Sequence, residues 1–200
     1  MEKKETIFAL STPYGRSAIG VIRLSGSNAL NVAKKLTKKK NFSSRTANFV
    51  SFFDDKDSII DRGLIIFFKS PSSYTGEDML EIHTHGSIAI INKMFEVLEK
   101  ITGCRFALPG EFSKRAFING KNDLIHFQGL ANLISSETEQ QRIVALKQTF
   151  GQTHNICKEW RQVITESLAI LDSAIDFPEE GEDYNLNVIV KNLNKLIKTA

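Results

Sequence analysis

Two charged residues stand in the middle of apolar runs, and their types and spacing offer the most chemistry in the chain. In Gly20-Val-Ile-Arg-Leu-Ser25, strand alternation puts Arg23 on one face with Val21 and Ser25, opposite Ile22 and Leu24. In Met79-Leu-Glu-Ile-His-Thr-His85, Glu81 shares a face with His83, opposite Leu80 and Ile82. A charge in such a run is costly to bury without a partner. Either the two form an ion pair, or that sheet face is solvated, or it lines a polar pocket. A carboxylate presents two parallel acceptors, which suit the paired N–H groups of a guanidine-like ligand edge. A nearby arginine or lysine suits a ligand oxygen or carboxylate.

Other constellations say less. Gly15-Arg-Ser-Ala-Ile-Gly20 has the spacing of a phosphate loop, but Val21-Ile22 follow where lysine and a hydroxyl residue are required. A P-loop nucleotide site in these residues is therefore not expected. His83 and His85 share a strand face and could give two metal ligands, but no third ligand cluster accompanies them. Lys34, Lys35 and Lys38-Lys-Lys40 end an expected helix, where cations complement the helix dipole and solvate one face. His126 and His154 fall in helical surroundings and read as surface or packing residues.

The elements that must position Arg23 and Glu81 read as follows. Thr6–Leu10, Gly20–Leu24, Ala47–Phe53, Gly63–Lys69 and Met79–His83 are strand-like, with Arg105–Leu108 as a short closing strand. Asn28–Lys38, capped by Ser27 or Ser25, and the Ile88, Ile91, Met94, Phe95, Leu98 series are helical. After Lys121 the strands stop. Ile143, Leu146, Phe150, Thr153, Cys157, Trp160, Ile164, Leu168, Leu171 and Ile175 step by threes and fours on one or two long helices, with Gly151 a weak point. Phe177-Pro178 ends that run, an acidic stretch Glu179–Asp183 follows, and Leu186, Ile189, Leu193, Leu196 and Ile197 mark a last helix. Helices of this kind could bury their stripes on one another.

Composition sets the outer bounds. Two hundred residues, 42% hydrophobic and 24% charged, are ordinary for a globular chain of roughly one to two domains. A net charge of +3 is too small to imply nucleic acid by itself. Cys104 and Cys157 cannot make a disulfide framework, the N-terminus lacks a signal-peptide core, and no apolar run spans a membrane. These features read as a soluble cytoplasmic protein.

Taken in order, six blocks resemble the N-terminal part of the tRNA-modification GTPase family called MnmE or TrmE. They are Ser11-Thr-Pro-Tyr-Gly-Arg16, Gly20-Val-Ile-Arg-Leu-Ser-Gly26, Ser73-Tyr-Thr-Gly-Glu-Asp78 with Glu81-Ile-His-Thr-His-Gly86, Pro109-Gly-Glu-Phe112 with Arg115 to Lys121, Leu133 to Glu139, and Ile175-Asp-Phe-Pro-Glu-Glu180. The resemblance implies an α+β chain: a mixed α/β folate-binding and dimerisation domain over 1–120, similar to aminomethyltransferases, then an all-α helical segment over 121–200. It implies a 5-formyl-tetrahydrofolate-type one-carbon folate held by Arg23, Glu81 and Lys121, as binding rather than catalytic residues. Glu81 would meet the amino-pyrimidine edge; Arg23 and Lys121 would meet oxygens or the glutamate tail. It further implies a homodimer, an FAD-dependent partner of the MnmG/GidA type, and aminomethyl or carboxymethylaminomethyl modification at C5 of the wobble uridine (U34) of tRNA. GTP, Mg2+ and K+ belong to the family's inserted G domain.

Two departures from the family pattern are visible. After Asn119 the chain reads Gly120-Lys-Asn-Asp-Leu-Ile-His-Phe-Gln-Gly129, which keeps Lys121 and Asp123 but alters the following helix start. The residues end at Ala200, about where the G domain would begin, so these 200 residues are not expected to hydrolyse GTP or modify tRNA alone. Two other readings compete. A stand-alone folate-dependent one-carbon transferase would need an acid or base, for which His83, His85 or Asp78 could serve; a non-catalytic assembly module would use the stripe around Trp160.

Overall fold

The computed structural model describes residues 5–176 and 186–199. They form two compact units, the first ending at Asn122 and the second beginning at Asp123.

The first unit is a six-stranded mixed sheet with three helices. Its strands are β1 (Thr6–Leu10), β2 (Ser17–Ser25), β3 (Ala47–Phe53), β4 (Ile59–Phe68), β5 (Met79–Gly86) and β6 (Cys104–Phe106), and its helices are α1 (Ala29–Thr37), α2 (Ile88–Glu99) and α3 (Glu111–Ile118). In space the strands run β3-β4-β5-β2-β1-β6. All pairs are antiparallel except the outer β1–β6 pair, which is parallel. Alternation decides the faces. Ile22, Leu24, Leu80 and Ile82 are fully buried and pack in one core with Val32, Ala33 and Leu36 of α1 and Met94 and Leu98 of α2. Arg23, Glu81 and His83 alternate with those residues and occupy the face opposite this core.

Differences from the sequence reading are local. β2 and β5 extend past their apolar cores because Ser17 pairs with Gly86; a main-chain ladder does not require apolar side chains. Neither Ser27 nor Ser25 caps α1. Asn28 stands at its N-cap without a side-chain cap bond, while Ser25 ends β2 and turns its hydroxyl to Thr75 and Glu77. α3 had no periodic signature. It starts after Gly110, whose φ of +73° suits glycine, and Glu111 in its first turn complements the helix dipole.

The second unit is all helical: α4 (Leu124–Ile134), α5 (Glu139–Thr149), α6 (Gln152–Asp176) and α7 (Leu186–Thr199). Asp123 caps α4, accepting the His126 N–H at 2.7 Å, and Thr138 and Gln141 form a capping box on α5. The long stripe is broken where Gly151 takes φ +89°, so it occupies two helices. Those helices do not bury it. Ile143, Phe150, Ile164, Leu168, Leu171 and Ile175 remain exposed, although α7 packs against α6. The expected stop at Phe177-Pro178, the acidic Glu179–Asp183 stretch and the side chains of Thr153 and His154 lie outside the described residues. Together the sheet unit and the helical unit make an α+β chain.

Candidate ligand-binding site

Antiparallel pairing of β2 with β5 sets Arg23 directly opposite Glu81. Arg23 donates from Nε at 3.0 Å and from Nη2 at 2.7 Å, both to Oε1 of Glu81. The side chains are 31% and 19% exposed, so the pair is neither a solvated surface bridge nor a sealed one. The second carboxylate oxygen, Oε2, takes no bond from Arg23 and has His83 Nε2 at 3.7 Å. Of the three alternatives left open by the sequence, the ion pair is the one present, on a partly exposed face. It leaves the second carboxylate oxygen without a hydrogen bond.

A loop and α3 frame this pair. The Tyr74 ring centroid lies 5.5 Å from the Arg23 guanidinium carbon, a cation–π approach that adds an aromatic wall. Tyr74 in turn shares a hydrogen bond of 3.1 Å with Ser113 of α3. Beyond α3, Asn119 donates to the Thr75 carbonyl at 2.7 Å and Lys121 Nζ to the Pro71 carbonyl at 2.9 Å. Lys121 therefore stands on the loop that carries Tyr74, exposed and bonded to that loop, and makes no bond to Glu81. Of the three sequence-named residues, Arg23 and Glu81 touch, and Lys121 joins them through the 71–76 loop.

A buried polar network fixes the loop. Arg115 of α3, 7% exposed, donates to Glu77 at 3.0 Å, to Glu111 at 2.9 Å and to the Glu5 carbonyl at 3.0 Å. Ser25 at the end of β2 donates to Glu77 at 2.8 Å and shares a 2.6 Å bond with Thr75. Glu111 also receives Arg105. That guanidinium, helped by the Leu108 N–H and Arg115 and opposed by partial burial, holds the Glu111 carboxyl down to about 2. The sequence reading missed Tyr74 and Arg115, although both lie inside quoted blocks. An arginine in a short helix without an apolar stripe carries no alternation signal of the kind that exposed Arg23.

The remaining candidates fall elsewhere. His85 is 70% exposed and bonds through Nδ1 to Asp61 at 2.8 Å. Burial pushes the Asp61 carboxyl up, but the backbone N–H and ring of His85 outweigh it and leave the carboxyl below its ordinary range. Asp78 accepts the Ser70 N–H at 2.8 Å, which ties down the same loop. Among the described residues no group of three or more His, Cys, Asp or Glu could hold a metal ion. Cys104 is half-buried, with its thiol pushed up by burial, and Cys157 is exposed. The cluster after α1 is solvated, with Lys38 paired to Asp57 at 2.8 Å.

The fold and the charged pair define a class: a mixed-sheet domain with an ion pair on the face opposite its core, followed by a helical domain. Residues 6–121 match the family model described as GTP-binding protein TrmE N-terminus, and residues 124–200 match the MnmE helical domain. The chain belongs to the MnmE (TrmE) family. It is 41% identical over 206 residues to the tRNA modification GTPase MnmE of Aquifex aeolicus, covering 98% of this chain and 46% of that protein. It is 42% identical over 199 residues to the protein of the same name from a Wolbachia of Drosophila simulans, covering 97% and 45%. For Parvibaculum lavamentivorans the identity is 46% over 177 residues, covering 88% and 40%. The chain thus spans less than half the length of these relatives. Among the described residues no helix is long and apolar enough to cross a membrane.

Proposed function

We propose that this chain is the folate-binding and self-associating part of a tRNA-modification GTPase. The observation that carries the reading is the Glu81 carboxylate, held by Arg23 through one oxygen with the other uncommitted. A reduced pterin presents an amino-pyrimidine edge with N–H donors side by side, which suits a partly exposed carboxylate. The Tyr74 ring supplies a flat apolar surface beside it, and Arg23 and Lys121 supply cations for ligand oxygens or the glutamate tail. The residues present fit a 5-formyl-tetrahydrofolate-type ligand. When bound, such a folate supplies a one-carbon unit; Arg23, Glu81 and Lys121 bind and orient it, and none is assigned a catalytic role.

In this reading the first unit also pairs with a second copy of itself. An FAD-dependent MnmG/GidA-type protein is the partner, and the joint product is an aminomethyl or carboxymethylaminomethyl group at C5 of U34 in cytoplasmic tRNA. GTP, Mg2+ and K+ are assigned to the family's G domain and to no residue of this chain. The test is equilibrium dialysis of the 200-residue chain against 5-formyl-tetrahydrofolate. Saturable binding that Arg23→Ala and Glu81→Ala each weaken supports the proposal; no binding, or binding indifferent to both, overturns it. A stand-alone transferase reading has one specific support, the His85–Asp61 pair, an imidazole oriented by a carboxylate. One-carbon transfer by this chain without any partner would favour it.

A further inference from the structure

Charge is unevenly placed along the chain. The net charge is only +3, yet between Glu5 and Asp54 stand eight Lys and Arg and no Asp or Glu. One of the eight, Arg45, reaches the loop that carries Tyr74, where its Nη2 donates to the Ser72 carbonyl at 3.0 Å. Lys121 Nζ donates to the carbonyl one residue earlier, that of Pro71, at 2.9 Å. Consecutive Cα atoms are about 3.8 Å apart, so these bonds hold the two cationic groups within roughly 10 Å of each other. Lys69 joins them through its backbone. Its N–H donates to Ser44 Oγ at 3.0 Å, beside Arg45, and its carbonyl accepts the Ser72 N–H at 2.9 Å. All three residues are exposed.

The nearby carboxylates are engaged elsewhere. Glu77 takes Arg115 and Ser25, Asp78 accepts the Ser70 N–H, and Glu81 holds Arg23. Among the described residues Arg45, Lys69 and Lys121 form no ion pair with a carboxylate. A guanidinium has five N–H donors and an ammonium three, so each head keeps donors to spare beside its loop carbonyl. Their distance from Glu81 is set by register. Ala47, Ile66 and Glu81 stand in one row across β3, β4 and β5. Two strand spacings put the backbone of Ala47 about 10 Å from that of Glu81, and Arg45 precedes Ala47 by two residues. We propose that Arg45, Lys69 and Lys121 form a subsite for the γ-linked polyglutamate chain of the folate. This rests on the folate-type reading of the site. A monoglutamate folate ends in two carboxylates, and each further γ-linked glutamate adds one. With the pterin edge on Glu81, Lys121 meets the first glutamate, and Arg45 and Lys69 meet the carboxylates added beyond it. The Arg45 fork suits a carboxylate, and its bond to the Ser72 carbonyl holds it in place before the ligand arrives.

Calorimetric titration of the 200-residue chain with 5-formyl-tetrahydrofolate carrying one glutamate and carrying three reads this as a ratio of affinities. Exposed ion pairs each contribute modestly, so the triglutamate should bind about three- to tenfold more tightly. Raising the NaCl concentration lowers that ratio, because the added contacts are solvent-exposed and screened. In the double variant Arg45→Gln, Lys69→Gln the ratio falls towards one; should that variant fold poorly by circular dichroism, Lys69→Gln alone lowers it. A second double variant, Lys34→Gln, Lys35→Gln, removes two cations from α1, which packs on the other face of the sheet, and keeps the ratio. Equal affinity of the parent chain for the two ligands, a ratio that survives the loss of Arg45 and Lys69, or an equal fall in the α1 variant overturns the subsite and leaves the folate reading standing. Absence of binding by the parent chain to either ligand removes the site itself, and the proposal with it.

Discussion

At the scale of single residues, Glu81 does two jobs that separate under substitution. Its Oε1 accepts both bonds from Arg23, and in the proposed reading its Oε2 is the acceptor offered to a ligand. Glu81→Gln keeps the shape, but an amide presents one acceptor and one donor where the site requires two acceptors. A hydrogen bond to a charged group contributes about 1.5–3 kcal/mol, so affinity for 5-formyl-tetrahydrofolate should fall by about 10- to 100-fold. Thermal stability should change far less, because the pair is partly solvated; a melting curve on the same sample checks this. Arg115 behaves oppositely. It is buried and joins Glu77 and Glu111, so Arg115→Ala leaves the enclosed Glu77 without its cation and Glu111 with Arg105 alone. That loss costs about 3 kcal/mol and appears as a lower urea midpoint. Glu111 adds an acid dependence with a definite sign. Its folded carboxyl is held down to about 2 by Arg105, so its contribution is complete above the ordinary carboxylate range and is lost as pH falls from about 4.5 towards 2. Urea unfolding across that window should show the parent chain losing on the order of 2 kcal/mol more than Glu111→Gln.

At the scale of elements, the loop 71–78 adds to two strands the rest of the proposed site. It carries Tyr74, receives Lys121 at Pro71 and is held by Thr75 and Glu77. Gly76 has φ +77°, and a Cβ there would lie 3.2 Å from Asn119 Cβ and 3.2 Å from Lys121 Cδ. Gly76→Ala is therefore strained and displaces Lys121. It should destabilise the first unit by about 1–2 kcal/mol and weaken ligand binding, read by denaturation and titration together. The same loop marks where sequence reasoning reached its limit. Arg23 and Glu81 were legible because a charge breaks an alternating apolar strand, and alternation states which face it takes. The strands, α1 and α2 were legible for the same reason, since their periodicity faces one core; α7 was legible from its helical spacing alone, and Leu193 and Ile197 stay exposed. Tyr74 and Lys121 sit on irregular backbone, whose position depends on contacts distant in sequence, such as Tyr74 with Ser113. α3 is short and anchored by buried charge, so no apolar stripe announces it. The α5–α6 stripe was legible as helix, yet its burial was not, because periodicity does not say whether a partner is present.

At the scale of the whole molecule, the chain joins a sheet unit with a charged pair on the face opposite its core to a helical unit whose apolar stripe stays exposed. Self-association through the first unit predicts that the 200-residue chain sediments as a dimer at micromolar concentration; a monomer at high concentration contradicts it. Family membership rests on both units matching in order, over residues 6–121 and 124–200. The central claim is narrower: the uncommitted oxygen of Glu81 reads the pyrimidine edge of a one-carbon folate. A crystal structure of the chain with 5-formyl-tetrahydrofolate tests it most directly. The account predicts a ring N–H donor at about 3 Å from Glu81 Oε2, with the pterin beside Tyr74. A folate seated away from Glu81, or lying with its glutamate tail on this face and its pterin elsewhere, would contradict it.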